Sequence, residues 1–264
     1  MFRIWFERDM PDHVAATIAG RATPIGPGTA TPEDLLSSVD DADAVIASSL
    51  VTYDGPAMDR APHLRVIART GIGVDKIDLN AATDRGIAVC NTPDAPTVST
   101  AEHTITLLLS VAKRVGGAQA ALRSGGRDFF GSHEGREVAS KVLGLIGIGR
   151  IGTSVARMAR GLNMTVIAYD PFVEPAGVAG TGIRLADSLD HLLDEADVIS
   201  LHLPLTSETE HLINAKCIAQ MKAGTIVINT ARGGLVDHDA LLAALDDGRL
   251  FGAGLDVTDP EPLP

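Results

Sequence analysis

Short runs of apolar and β-branched residues alternate along the chain with longer stretches of helical periodicity, a pattern that predicts parallel sheets flanked by helices. In the first third the expected strands are Phe2–Phe6, 44–48, 65–69 and 87–90. Thr31-Pro32-Glu33-Asp34 reads as a helix start, with a capping hydroxyl, proline at the first helical position and acid in the first turn. Residues 78–85 read as a helix closed by Gly86, where a left-handed cap needs glycine. Asn91-Thr92-Pro93-Asp94-Ala95-Pro96 is too rich in proline for a regular element and marks a domain boundary, giving expected domains of 1–98 and 99–264.

Beyond that boundary a long helix is expected over 98–115, then a glycine- and charge-rich surface loop over 123–136. The alternation resumes with expected strands at Val142–Ile146, Thr165–Tyr169, Val198–Leu201, Thr225–Asn229 and 251–257. Helices are expected from about 151, near 189 and over 239–245. No repeat or low-complexity tract interrupts the pattern.

Gly147-Ile148-Gly149-Arg150-Ile151-Gly152 fits G-x-G-x-x-G. With 27 glycines in the chain the match alone is weak. Its setting strengthens it: a buried strand ends at Ile146 and a helix begins at Ile151. In that strand–turn–helix, backbone without Cβ atoms lets a pyrophosphate approach the helix N-terminus. Asp170 closes the next strand, where a carboxylate accepts from adenosine ribose hydroxyls and repels a 2′-phosphate, favouring NAD over NADP. The same residues also fit a plain βαβ turn, with glycines for close packing and Asp170 as a turn former. The expected fold class is α/β, with two doubly wound parallel-sheet domains, the second a Rossmann-type NAD-binding domain.

Composition narrows the function classes. A net charge of -12 argues against a nucleic-acid partner, which needs clustered Lys and Arg. No apolar run reaches membrane-span length, and Glu7 and Asp9 fall where a signal peptide stays apolar, so no membrane association and a cytoplasmic location are expected. Cys90 and Cys217 form neither a disulfide framework nor a metal-ligand cluster, and no metal is expected.

Further blocks, in order, are Gly71-Ile72-Gly73-Val74-Asp75-Lys76-Ile77-Asp78, Asn91-Thr92-Pro93 leading to Ala101-Glu102-His103, and Leu201-His202-Leu203-Pro204-Leu205-Thr206. Then come Asn229-Thr230-Ala231-Arg232-Gly233-Gly234-Leu235-Val236-Asp237, Gly254-Leu255-Asp256-Val257 and Glu261-Pro262. Together, from about residue 40 onward, they resemble the D-isomer-specific 2-hydroxyacid dehydrogenases, which include phosphoglycerate dehydrogenases and glyoxylate or hydroxypyruvate reductases.

The resemblance implies NAD-dependent hydride transfer between a small D-2-hydroxy acid and its 2-oxo acid, in a homodimer built through the nucleotide domains. Arg232 would be the substrate-binding arginine; a guanidinium fork suits a carboxylate beside a carbonyl. The amides of Ile72 and Gly73 would form a second carboxylate clamp. Asp256 would hold the nicotinamide carboxamide, Thr230 and Ala231 would line its pocket, and His202 and Pro204 would edge the adenine side. Glu261 matches the glutamate that raises the pKa of a proton-donating histidine. That histidine is expected beyond Glu261, and the 264 residues stop at Pro264. The chain as given is therefore expected to lack both the acid and the segment that returns to the first domain. It would then be inactive by itself, the alternative being a catalytically dead NAD(H)-binding sensor or scaffold. His103 reads as a helix-packing residue and His238 as an exposed one. Ala47-Ser48-Ser49 stands where phosphoglycerate dehydrogenases often carry an arginine, which weakens a phosphorylated-substrate reading.

Overall fold

The computed structural model describes residues 1–26, 34–125 and 134–261. Two compact units divide the chain, Met1–Pro96 and Thr97–Pro264.

The first unit is a five-stranded parallel sheet. Its elements in chain order are β1 (Phe2–Phe6), α1 (Asp12–Ile18), β2 (Ala22–Ile25), β3 (Ala44–Ala47), α2 (Gly55–Asp59), β4 (Val66–Arg69), α3 (Leu79–Asp84) and β5 (Ala88–Asn91). The strand order β2-β1-β3-β4-β5 is that of flavodoxin-like sheets, with the reversal of direction falling between β1 and β3. Trp5, Val45, Tyr53, Met58 and Ile67 fill the core, each almost without exposure.

A buried carboxylate closes the end of this sheet. Glu7, one residue past β1, accepts from the backbone N–H groups of Ser48 (2.6 Å), Leu50 (2.5 Å) and Val51 (3.0 Å). It also accepts from the Ser48 hydroxyl at 2.7 Å and the Tyr53 hydroxyl at 3.1 Å. Ser48 Oγ in turn accepts from Arg8 Nε at 3.2 Å, so a guanidinium stands beside the serine of the Ala47-Ser48-Ser49 run.

The second unit begins with α4 (Thr97–Ala112) and α5 (Val115–Arg123), followed by β6 (Val142–Ile146), α6 (Arg150–Gly161), β7 (Thr165–Tyr169) and β8 (Ile183–Leu185). After them come α7 (Leu189–Glu195), β9 (Val198–Leu201), α8 (Ala215–Gln220), β10 (Thr225–Asn229), α9 (His238–Asp246) and β11 (Leu250–Leu255). The parallel order β11-β10-β9-β6-β7-β8 is the Rossmann arrangement, reversing between β6 and β9. Alternate residues of β6 feed two cores: Leu143 and Leu145 pack with Leu108 and Val155 on one face, while Ile146 packs with Leu192 and Leu201 on the other.

Several elements depart from the expected pattern for physical reasons. α1 has no side-chain cap and buries no residue, and β2 carries Pro24 on an edge strand, where a missing N–H is tolerated. The expected helix over 98–115 breaks at Arg114, whose φ of 52° ends α4 and starts α5. α5 contains Gly116 and Gly117, and its last residue, Arg123, falls within the expected loop, whose residues 126–133 lie outside those described. The helix start at Thr31-Pro32-Glu33 also lies outside the described residues, and Asp34 is followed by a turn. β11 ends at Leu255 rather than at 257.

Candidate nucleotide and substrate site

The glycine turn follows β6 directly. Gly147 has φ 88°, and a Cβ there would stand 2.4 Å from the carbonyl oxygen of His202. A Cβ on Gly152 would stand 2.5 Å from Gly147 O, whereas one on Gly149 would meet nothing within 4 Å. Two glycines are therefore required by packing, and the middle one leaves open space. Gly149 is the N-cap of α6 and, having no side chain, makes no capping hydrogen bond of its own beside that space. Arg150 is exposed at this end and Ile151 is half-buried.

Asp170, past the end of β7, accepts from Ile148 N–H at Oδ2 and from Phe172 N–H at Oδ1, both at 3.0 Å. Each oxygen keeps a second lone pair, so the carboxylate can brace the turn and still accept from a ribose hydroxyl. His202 turns inward: its Nε2 lies 2.9 Å from Ser200 Oγ, and burial lowers its pKa to about 4. At neutral pH it is an uncharged ring beneath the turn. Pro204 is exposed, and its carbonyl accepts from the Thr209 hydroxyl.

A second group collects at the carboxyl ends of β10 and β11. Asn229 is fully buried. Its Nδ2 donates to Arg232 O at 2.7 Å and its Oδ1 accepts from Ala231 N–H at 3.0 Å, folding 229–232 into a fixed loop. Arg232 is half-buried and donates from one Nη to Ala231 O at 2.6 Å. The Thr230 hydroxyl meets that of Thr104 on α4 at 2.9 Å. Asp256 donates its backbone N–H to Asn229 O at 2.9 Å, and its Oδ1 stands 3.2 Å from His103 Nε2. Glu261 is exposed.

In the first unit, Gly71, Ile72 and Gly73 follow β4. Asn91 Nδ2 donates to Ile72 O at 2.8 Å and Thr92 N–H to Gly71 O at 3.1 Å, tying this loop to β5. Arg69 lies over Gly71, where a Cβ would come within 2.8 Å of its Nη1.

Two histidine readings need correction. His103 does not pack into the core; it is 46% exposed and faces Asp256. His238 is half-buried, with Nδ1 3.1 Å from Asp259 O. Asn229 has no role assigned from sequence, although it lies inside the Asn229–Asp237 block. Its signal is an amide side chain closing an otherwise apolar strand, where a buried amide must find partners. No group of metal-ligating side chains occurs among the described residues.

A Rossmann sheet with a glycine turn at its strand reversal and an acid ending the next strand defines a dinucleotide-binding protein. Residues 105–264 match the family model for the NAD binding domain of D-isomer specific 2-hydroxyacid dehydrogenases, and the chain belongs to that family. It is 42% identical over 232 residues to a D-3-phosphoglycerate dehydrogenase of Methanocaldococcus jannaschii, covering 88% of this chain and 44% of that protein. A Mycobacterium bovis protein of the same name is 44% identical, with 87% and 43% covered. The chain thus spans less than half the length of these relatives. Among solved structures, the TT0316 protein from Thermus thermophilus superposes with a TM-score of 0.90 at 42% identity, covering 100% of this chain and 84% of that one. A D-lactate dehydrogenase from Aquifex aeolicus, complexed with NAD and lactic acid, gives a TM-score of 0.84 at 32% identity, covering 97% and 77%.

Proposed function

We propose that the protein is an NAD-dependent oxidoreductase interconverting a small D-2-hydroxy acid and its 2-oxo acid. The observation that carries this reading is that the carboxyl ends of one sheet's strands hold both an open glycine turn after β6 and, after β10, an arginine in a loop fixed by Asn229. When bound, the nicotinamide supplies or accepts the hydride. The α6 N-terminus with Gly147, Gly149, Arg150, Ile151 and Gly152 would take the pyrophosphate, and Asp170 the adenosine ribose. Pro204 would border the adenine, with His202 supporting the turn from beneath. Asp256, beside Thr230 and Ala231, would accept from the carboxamide.

Arg232 would grip the substrate carboxylate and polarise the adjacent carbonyl, lowering the energy of the developing alkoxide. The Ile72 and Gly73 amides make no hydrogen bond among the described residues and would serve as a second carboxylate clamp. Residues 1–98 would then form the substrate domain and 99–264 the nucleotide domain. Glu261 would raise the proton affinity of the imidazole that protonates the alkoxide.

We further place the protein in the cytoplasm as a homodimer. Both cysteines are free thiols, which suits a reducing compartment. Val98, Val115 and Leu122 expose apolar surface on α4 and α5, which supports pairing through the nucleotide units. No helix among the described residues is long and apolar enough to cross a membrane.

The test is NADH oxidation against a panel of 2-oxo acids, together with NADH binding, for a parent form that carries the proton-donating histidine and for its Arg232→Ala variant. Turnover in the parent should fall by about a hundredfold or more in the variant, with NADH affinity nearly unchanged. Equal losses would assign Arg232 to the cofactor pocket alone. Binding with no turnover of any 2-oxo acid by a full-length natural protein would instead favour the NAD(H)-binding module.

A further inference from the structure

His103 stands where it can decide how the carboxylate assigned to the nicotinamide is presented. Its Nε2 lies 3.2 Å from Asp256 Oδ1, and the two side chains are 46% and 50% exposed. The pair is therefore on the surface at the carboxyl end of β11, and its backbone supports are firm. Asp256 N–H is bonded to Asn229 O on the neighbouring strand. One residue along α4, Thr104 is fully buried and meets the Thr230 hydroxyl at 2.9 Å. α4 is also seated closely on β11: a Cβ on Gly254 would come within 3.1 Å of Leu107 Cβ. Helix and strand ends are thus held at a fixed separation, and His103 spans it.

We propose that His103 is a positioning residue for the cofactor: by holding Oδ1 of Asp256 it leaves Oδ2 turned to accept from the carboxamide N–H2. This rests on the assignment of Asp256 made above. A half-exposed aspartate samples several rotamers, and ordering it on binding weakens affinity. A ring already engaged with one oxygen removes part of that ordering and selects which oxygen faces the ligand. Neither action requires His103 to touch the cofactor.

The experiment compares dissociation constants, by calorimetry on the full chain, for NADH and for its 3-acetylpyridine analogue. In the analogue a methyl ketone replaces the carboxamide, so no N–H is available to Asp256. His103→Ala should weaken NADH about fivefold, the size of one exposed polar contact, and leave the analogue unchanged. His103→Gln, which returns an N–H donor of similar reach, should restore NADH affinity. Equal weakening of both ligands, no weakening of either, or failure of His103→Gln to restore binding would overturn the proposal. Asp256→Ala tests the underlying assignment separately. If it weakens NADH and the analogue equally, the carboxamide contact itself is wrong. If it discriminates between them and His103→Ala does not, only the role of His103 falls.

Discussion

Each sheet reverses its strand order once, and the two reversals are filled in opposite ways. Such a point leaves a crevice at the carboxyl ends of the flanking strands, where α/β proteins take their ligands. Between β6 and β9 the crevice is walled by glycines, with open space at Gly149 and an uncapped helix behind it. Between β1 and β3 the corresponding place is occupied by the chain's own carboxylate, Glu7, with three backbone N–H groups and two hydroxyls pointed at it. On the proposed reading both are anion sites: one would receive its anion and the other carries its own, so topology creates the crevice while individual residues decide whether it is free.

The sharpest way to break this comparison is to fill the open site. Gly147→Ala adds a methyl group 2.4 Å from the His202 carbonyl oxygen, at a φ of 88° that alanine disfavours. The obstacle is backbone, which cannot swing aside like a side chain. Stability should fall by about 3 kcal/mol and NADH affinity by more than about a hundredfold. A variant binding NADH like the parent would show that the turn has room the geometry denies.

Emptying the closed site is the complementary change. Glu7→Gln keeps one acceptor oxygen but presents an N–H2 that, in either orientation, faces a backbone N–H able only to donate. The first unit should lose about 2–4 kcal/mol. Trp5, the single tryptophan, is fully buried in that unit and reports its unfolding in urea. NADH affinity should stay at the parent value; a matching loss would mean that the two sites are not independent. The same pocket gives an alkaline limb. Burial, then the Glu7 charge, raises the Tyr53 pKa above its ordinary 10.0. The folded unit holds this proton more tightly than the unfolded chain, so stability is intact below 10 and falls as the pH climbs above it. In Glu7→Gln, where burial alone still raises this pKa, that fall should end at a lower pH.

Sequence legibility follows the same division. The open site is readable because its parts are local: strand, glycine turn and helix occupy 142–161, and Asp170 comes one strand later. Glu7 is not, because its partners lie 41 to 46 positions away and nothing near it distinguishes a keystone from a surface acid. Arg8 beside Ser48 is hidden for the same reason, since only the pairing of β1 with β3 brings them together. His103 is misread from sequence because helical spacing tells which face a residue shares, while its partner at Asp256 is fixed by how α4 sits on β11. Short elements such as β8, α2 and α8 have too few residues for periodicity to declare itself.

The smallest effect separates the units by acid. Burial takes the His202 pKa from 6.5 to about 4, so the folded second unit refuses a proton that the unfolded chain accepts. Stability is complete above 6.5 and is lost as the pH falls through that window towards 4, by at most about 3 kcal/mol. Far-UV circular dichroism in urea, followed at about pH 7 and about pH 4.5 alongside Trp5 fluorescence, resolves which unit gives way. The transition that Trp5 does not follow should move to lower urea at the acid pH, and His202→Gln should move less because it has no proton to refuse. Parallel shifts in parent and variant would mean that the imidazole beneath the glycine turn is solvated.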